Sequence, residues 1–180
     1  MDPKISSDRI KFRLIGAEDV KTAHALLSLP ETDQYNALGV PKTEAETRKI
    51  IEPLIEANKE SEIKNFTFAL EKPEGAFIGL FGLKLGKPKY NKAEVWCKIL
   101  PEYWSKGYAT EALKTMLDFG FDTLNLHRIE AGCSVKNTAS PKVFKKVGMM
   151  REGIARQLLP LKTGWSDVYQ YAILETDPRE

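Results

Sequence analysis

One junction constrains this chain more than any other. An apolar run, 95–100, ends at Pro101, and then come Glu102, Tyr103, Trp104, Ser105, Lys106, Gly107, Tyr108, Ala109, Thr110, Glu111 and Ala112. The run reads as a strand, and beyond the junction Leu113, Met116, Leu117 and Phe121 recur at helical spacing. The stretch between them is therefore the turn that opens a helix. A helix mouth leaves backbone N–H groups without intrahelical partners and carries a partial positive charge, so it attracts anions. Gly107 allows the bend and a close ligand approach, Ala109 keeps the entrance clear, and Lys106 adds positive charge. The nucleotide P-loop and the three-glycine dinucleotide fingerprint are both absent.

Upstream, Ile10, Phe12 and Leu14 alternate with Arg9, Lys11 and Arg13, which predicts a half-buried strand over 9–15. A helix with Asp19 as cap and Val20, Ala23, Leu26 and Leu27 as its apolar face follows, stopped by Pro30. Residues 31–42 read as a loop near an acceptor site. Thr43 with Glu46 is a capping-box signature for a second helix, in which Pro53 predicts a kink or break. Strands over 66–70, 77–85 and 94–100, the first two joined by a turn at 71–75, suggest an antiparallel meander. A strand over 128–135, a helix opened by Asn137, Thr138, Ala139 and Ser140 and closed by Gly148, and two strands, 149–155 and 167–175, complete the chain. Periodicity alone specifies only a mixed α/β protein.

At 180 residues and 42% hydrophobic content the chain supports one core, so a single domain over 1–180 is expected, with its core at about 8–176. The 27 basic residues nearly balance 25 acidic ones, which disfavours nonspecific nucleic-acid binding. No apolar run reaches the roughly 18 residues of a membrane span and residues 1–7 lack a secretory apolar segment. A soluble cytoplasmic protein with no membrane partner is the expectation. Cys97 and Cys133 lie in apolar runs without Cys-x-x-Cys spacing and read as buried and reduced. His24 and His127 read as structural, so no metal site is expected.

The Gly107, Tyr108, Ala109 turn resembles the pyrophosphate loop of the GNAT superfamily of N-acetyltransferases, whose pattern is Gln/Arg-x-x-Gly-x-Gly/Ala. Trp104 stands where most of that superfamily has Gln or Arg. Trp104 to Ala109 is more similar to the branch that acetylates ribosomal-protein N-termini, and that likeness extends over nearly the whole chain. The resemblance implies an α+β fold: a mixed, mostly antiparallel sheet flanked by helices on both faces. It implies acetyl-CoA as cosubstrate, no metal, an amine acceptor (a protein N-terminus or a small amine), and the homodimer common among relatives. Ile99, Leu100, Trp104, Ser105, Lys106, Gly107, Tyr108, Ala109, Thr110, Asn137 and Ser140 are then the cofactor-binding candidates. In that family the residue matching Asn137 bonds the pantetheine arm or a phosphate, and the residue matching Ser140 is the proposed general acid. Read alone, Asn137 is a helix cap and Ser140 a first-turn polar residue.

An attacking amine must be neutral, although an alkyl ammonium has a pKa of about 10.4 and an α-amino group about 7.7 to 8. A carboxylate, or a water it orients, takes that proton. Glu94 is the candidate base, because Val95, Trp96 and Cys97 would partly desolvate it and raise its pKa. In the ribosomal branch the base is a Glu seven residues beyond the Glu of a Glu-Gly pair; from Glu152 and Gly153 that count reaches Leu159. A backbone N–H around Ile99 or Leu100 is the expected donor to the developing oxyanion, with no covalent intermediate. The alternative is a noncatalytic acyl-CoA-binding or regulatory module, which would bind the cofactor without releasing thiol.

Overall fold

A computed structural model describes residues 3–179. Eight strands, β1 (Ile5–Ser6), β2 (Lys11–Leu14), β3 (Asn65–Glu71), β4 (Phe77–Leu85), β5 (Lys92–Ile99), β6 (Arg128–Ser134), β7 (Met150–Leu161) and β8 (Gly164–Leu174), form one sheet in the order β1-β2-β3-β4-β5-β6-β8-β7. Neighbours are antiparallel throughout except β5 and β6. Five helices accompany them: α1 (Val20–Leu27), α2 (Pro30–Asp33), α3 (Glu44–Asn58), α4 (Tyr108–Asp118) and α5 (Ser140–Lys146).

The sheet carries a core on each face. On one, Phe68, Phe81 and Ile129 pack with Leu113, Met116 and Leu117 of α4 and with Val143 and Phe144 of α5. On the other, Ile15, Ala69 and Leu80 meet Ala23, Leu26, Ile51 and Ile55 of α1 and α3. This is the mixed α+β layering that was expected.

The sheet is split where β5 and β6, the only parallel pair among the described residues, run side by side. β5 and β6 pair through Lys92↔Arg128, Ala93↔Ile129 and Glu94↔Glu130 alone, and beyond Glu94 they part. β5 stays with β4 over its full length, Gly79↔Ile99 to Leu85↔Ala93, and Leu100 N–H still reaches the Ile78 carbonyl at 2.9 Å. At Gly79 the two backbones approach so closely that a Cβ would lie 2.9 Å from Ile99 Cα. β6 meanwhile stays with β8 through Ser134↔Val168.

Several local expectations are revised. Asp19 does not cap α1 with its side chain; it is buried, takes two hydrogen bonds from Arg13 at 2.7 and 2.9 Å, and accepts from Gly16 N–H at 2.8 Å. Thr43 does cap α3, accepting from Glu46 N–H at 3.2 Å, but Glu46 reaches back to Lys42 N–H instead of Thr43. Pro53 does not interrupt α3, because Pro53 and Lys49 lie on its exposed side, where water can satisfy the carbonyl left without a partner. Residues 31–42 are not wholly loop: Pro30 starts the single turn of α2, where its missing N–H costs nothing. The helix expected to run on through Phe121 changes at Phe119 to a wider π turn, Phe119–Thr123, with Arg179 bonding Asp118 and Asp122. Strand β1 had no counterpart in the sequence pattern, and β7 runs six residues past the expected Ala155. Among the described residues no helix is long and apolar enough to cross a membrane, and no metal-ligating cluster occurs.

Arg13 holds Asp19 and Glu71 at 2.7 and 2.6 Å, joining β2, β3 and the start of α1. Arg13→Met would leave the Asp19 carboxylate buried without its partner. Thermal unfolding should show a loss of about 2 kcal/mol, below the usual cost of breaking a buried pair because Arg13 is itself partly exposed.

Candidate active site

The parity of the β ladder decides which backbone groups line the split. Leu100 N–H bonds to β4, so the even-numbered residues of β5 direct their N–H and C=O groups toward β4 and the odd ones toward β6. Val135 N–H bonds to Asp167 at 3.0 Å, so on β6 the odd residues serve β8 and the even ones face β5. Past Glu94 the facing groups are the Val95 carbonyl, Cys97 and the Ile99 N–H on one edge and Gly132 and the Ser134 N–H on the other; Val95 N–H still pairs with β6, and the Ser134 carbonyl accepts from Asn137 N–H at 2.9 Å. The remaining groups have lost their sheet partners and form a slot with donors and acceptors on both walls. Leu100 is not among the donors: its N–H is used by Ile78 and its carbonyl accepts from Tyr103 N–H at 2.9 Å. Ile99 N–H remains eligible for the oxyanion role, and Cys97 N–H joins it.

The loop beyond β5 presents what a helix mouth promises. Among the described residues, the N–H groups of Ser105, Lys106, Gly107, Tyr108, Ala109 and Thr110 have no backbone acceptor, and the first to find one is Glu111, at 3.0 Å from the Gly107 carbonyl. Gly107 at φ 85° and Ser105 at φ 58° are both left-handed, which turns successive amides toward one side. Trp104, 46% exposed, pins the loop to the slot by donating Nε1–H to the Ile99 carbonyl at 2.7 Å.

Sequence reasoning missed what holds this loop from behind. Arg9 donates from Nη1 to the Lys106 carbonyl at 3.1 Å, from Nε to Glu111 at 2.6 Å, and lies over the Tyr108 ring at 4.6 Å. That bond occupies the Lys106 carbonyl and ties the loop to the segment before β2. Ser7 and the Arg9 N–H also donate to Glu111, at 2.7 and 3.0 Å. Desolvation pushes the Glu111 carboxyl up, but the bonds from Ser7 and Arg9 outweigh it and hold the group below the usual carboxylate range. An unpaired acid in the first turn of α4 would repel a phosphate; here Arg9 neutralises it. In the sequence Arg9 reads only as the polar side of a strand, 102 positions from Glu111.

At α5 the Asn137 Oδ1 accepts from Ala139 and Ser140 N–H at 3.0 and 3.1 Å. The amides expected to bind a cofactor at this second entrance are thus already capped, and the helix-cap reading of Asn137 describes them. Its Nδ2 donates to Ser140 Oγ at 2.9 Å. Ser140 accepts that bond and keeps its own O–H free to donate. α4 and α5 pack together on one face of the sheet, so Ser140 and the amide loop share a side of the slot.

Glu94 stands apart. It is exposed, at the closed end of the slot where β5 and β6 still pair, so the expected desolvation is absent. It shares a sheet face with Trp96 and Lys98, roughly 10 Å of strand from Cys97. Cys97 and Cys133 are not both buried: Cys97 is exposed within the split and Cys133 half-buried. The protein around them still desolvates both thiols, raising Cys97 to about 12 and Cys133 to about 11, so neither is a ready nucleophile. His24 bonds Thr47 at 2.8 Å and His127 bonds Glu175 at 2.9 Å, as structural residues do. Glu152 pairs with Arg128, and Leu159 lies opposite Ser166 on the closing hairpin.

A free amide loop at the end of a split sheet, with a hydroxyl beside it, suits an elongated anionic thioester. Residues 9–150 match the acetyltransferase (GNAT) domain family, and the chain belongs to it. The chain is 37% identical over 175 residues, 96% of this chain and 98% of the relative, to the uncharacterized N-acetyltransferase YnaD of Bacillus subtilis. It superposes with a TM-score of 0.83 at 32% identity on the crystal structure of a GNAT-family acetyltransferase from Bacillus anthracis, covering 97% of this chain and 99% of that one. The fold also matches, at TM-score 0.81 and 23% identity over 94% and 98% of the two chains, that of the spermidine N-acetyltransferase from Vibrio cholerae in complex with CoA and spermine. The protein is an N-acetyltransferase that uses acetyl-CoA, as its family does.

Arg9→Ala should weaken acetyl-CoA binding about tenfold, or ~1.4 kcal/mol, without unfolding the protein. Calorimetric titration with CoA, alongside a melting curve, checks this.

Proposed function

We propose that this enzyme moves an acetyl group from acetyl-CoA to a primary amine, a protein N-terminus or a small amine, by direct attack in a ternary complex. Acetyl-CoA supplies an activated acetyl thioester. The six free amides from Ser105 to Thr110 receive its phosphates, and the Val95 carbonyl, the Cys97 and Gly132 groups and the N–H of Ile99 and Ser134 receive its amide-bearing arm. Cys97 and Ile99 N–H stabilise charge developing on the carbonyl oxygen. Ser140 Oγ–H gives its proton to the departing thiolate, and the bond from Asn137 Nδ2 makes that oxygen a better donor and fixes its rotamer. Glu94, on the acceptor face, takes the amine's proton through water.

The observation that carries this reading is the coincidence, in one slot, of a free amide loop and a serine whose acceptor role is filled while its donor role is not. For the acceptor, the loop residues 104–109 favour the ribosomal-protein branch, whereas Leu159 removes the carboxylate used there as base. The Vibrio cholerae likeness supports a small amine equally well. A homodimer is consistent with Met150, Ile154 and Leu158, all more than half exposed on the outermost strand β7.

Ser140→Ala should lower kcat by about a hundredfold while acetyl-CoA affinity hardly changes. Steady-state kinetics by thiol release, with CoA titration on the same variant, separates the two effects. Equal losses in both would reduce Ser140 to a ligand anchor.

A further inference from the structure

Asp33, Lys98 and Lys162 form a charged cluster that the cofactor site does not use. Lys98 lies between Cys97 and Ile99 on β5, yet parity sends its side chain to the face of α1 and α3, away from α4 and α5. Its side chain is only 11% exposed, and Nζ lies 3.9 Å from Oδ1 of Asp33, which is 2% exposed. Lys162, in the turn between β7 and β8, brings its Nζ to 3.7 Å from Oδ2 of the same carboxylate. Gly39 N–H donates to Asp33 Oδ1 at 3.1 Å. So α2, the centre of β5 and the tip of the closing hairpin converge on one acid.

The contacts are incomplete in a telling way. Both lysines sit at ion-pair distance from Asp33 but beyond hydrogen-bond distance, and among the described residues Lys98 Nζ has no hydrogen-bond acceptor at all. Burial lowers the pKa of its ammonium and Asp33 only partly opposes this. Two cations share one anion, which leaves a net positive charge. An ammonium taken from water without a hydrogen bond is costly unless something else supplies the oxygen. Its nitrogen is not sealed off, so that oxygen can come from a ligand.

The location says which ligand. The amide loop and Ser140 occupy the α4 and α5 face of the slot, so the acceptor amine approaches from the other face, where Lys98 stands beside the backbone groups of Cys97 and Ile99. We propose that Lys98 and Lys162, anchored by Asp33, form an anion-recognition subsite for the acceptor, which is a primary amine that also carries a carboxylate or a similar oxyanion and not a polycation. This rests on the transferase reading and deepens it. The cluster binds the acceptor's anionic group and leaves the chemistry at its amine to the cofactor side of the slot. A polyamine meets the same charge as repulsion.

The test uses the purified protein, acetyl-CoA and three acceptors of equal chain length: 4-aminobutanoate, 4-aminobutanamide and butane-1,4-diamine, with thiol release as the readout. The carboxylate should exceed the amide in kcat/KM by about tenfold, the size of one charge-assisted hydrogen bond, and the diamine should be poorest. Lys98→Met should abolish the preference and leave activity on the amide nearly unchanged, a split that a merely structural lysine would not produce. Where that variant fails to fold, Lys162→Ala at the exposed turn should reduce the preference in the same direction. Absence of a preference in the unmodified protein, or an equal fall on all three acceptors in the variants, overturns the subsite alone. No thiol release with these acceptors or with N-terminal peptides overturns the transferase reading and the subsite together.

Discussion

The parting of β5 from β6 is the constraint on which the site depends. A sheet normally consumes its own backbone donors and acceptors, and an interior strand with unsatisfied groups is costly. Here one interior edge is left open past Glu94, and neither strand is free to close it. β5 is held to β4 as far as Leu100, and β6 to β8 as far as Val135. The split is therefore imposed by the outer ladders, and the unpaired groups persist as a preformed binding surface. No side chain has to be reorganised to create it.

Charge is then distributed on the two sides of that opening in opposite ways. On the α4 side the loop offers backbone amides and little side-chain charge, because Arg9 and Glu111 cancel each other. On the α1 side the slot is bordered by ammonium groups that one carboxylate does not fully balance. The first arrangement suits a ligand recognised mainly through its phosphates. The second selects among ligands, because fixed buried charge discriminates more sharply than dipoles that any anion can use.

Much of this was legible in the order of residues, and the reasons for the remainder are physical. The loop from Trp104 to Thr110 could be read because a strand, a glycine turn and a helix mouth are adjacent in sequence, and their chemistry is local. Asn137 and Ser140 were legible as a pair for the same reason, though not the way Asn137 turns its oxygen on its own helix. Arg9, Asp33 and Lys98 were illegible. Their partners lie far away in sequence, and an alternating charged residue in a strand looks like a solvated face until the opposing element is placed. Leu100 shows a subtler limit: whether a strand N–H is free depends on register, which hydrophobic periodicity does not determine to a single residue. Pro53 and the π turn at Phe119 were governed by side-specific exposure and by Arg179, neither of which a helical repeat encodes.

Helix α4 is gripped at its first turn by Arg9 and at its last by Arg179, arginines drawn from opposite extremes of the described chain. The amide loop is local in sequence, yet its shape is completed only when both distant segments have arrived. A partly folded chain, lacking these long-range ties, would hold α4 without a competent anion mouth. Ligand affinity in this protein thus reports on finished tertiary assembly, and the cofactor, by binding only the assembled form, draws the folding equilibrium toward it.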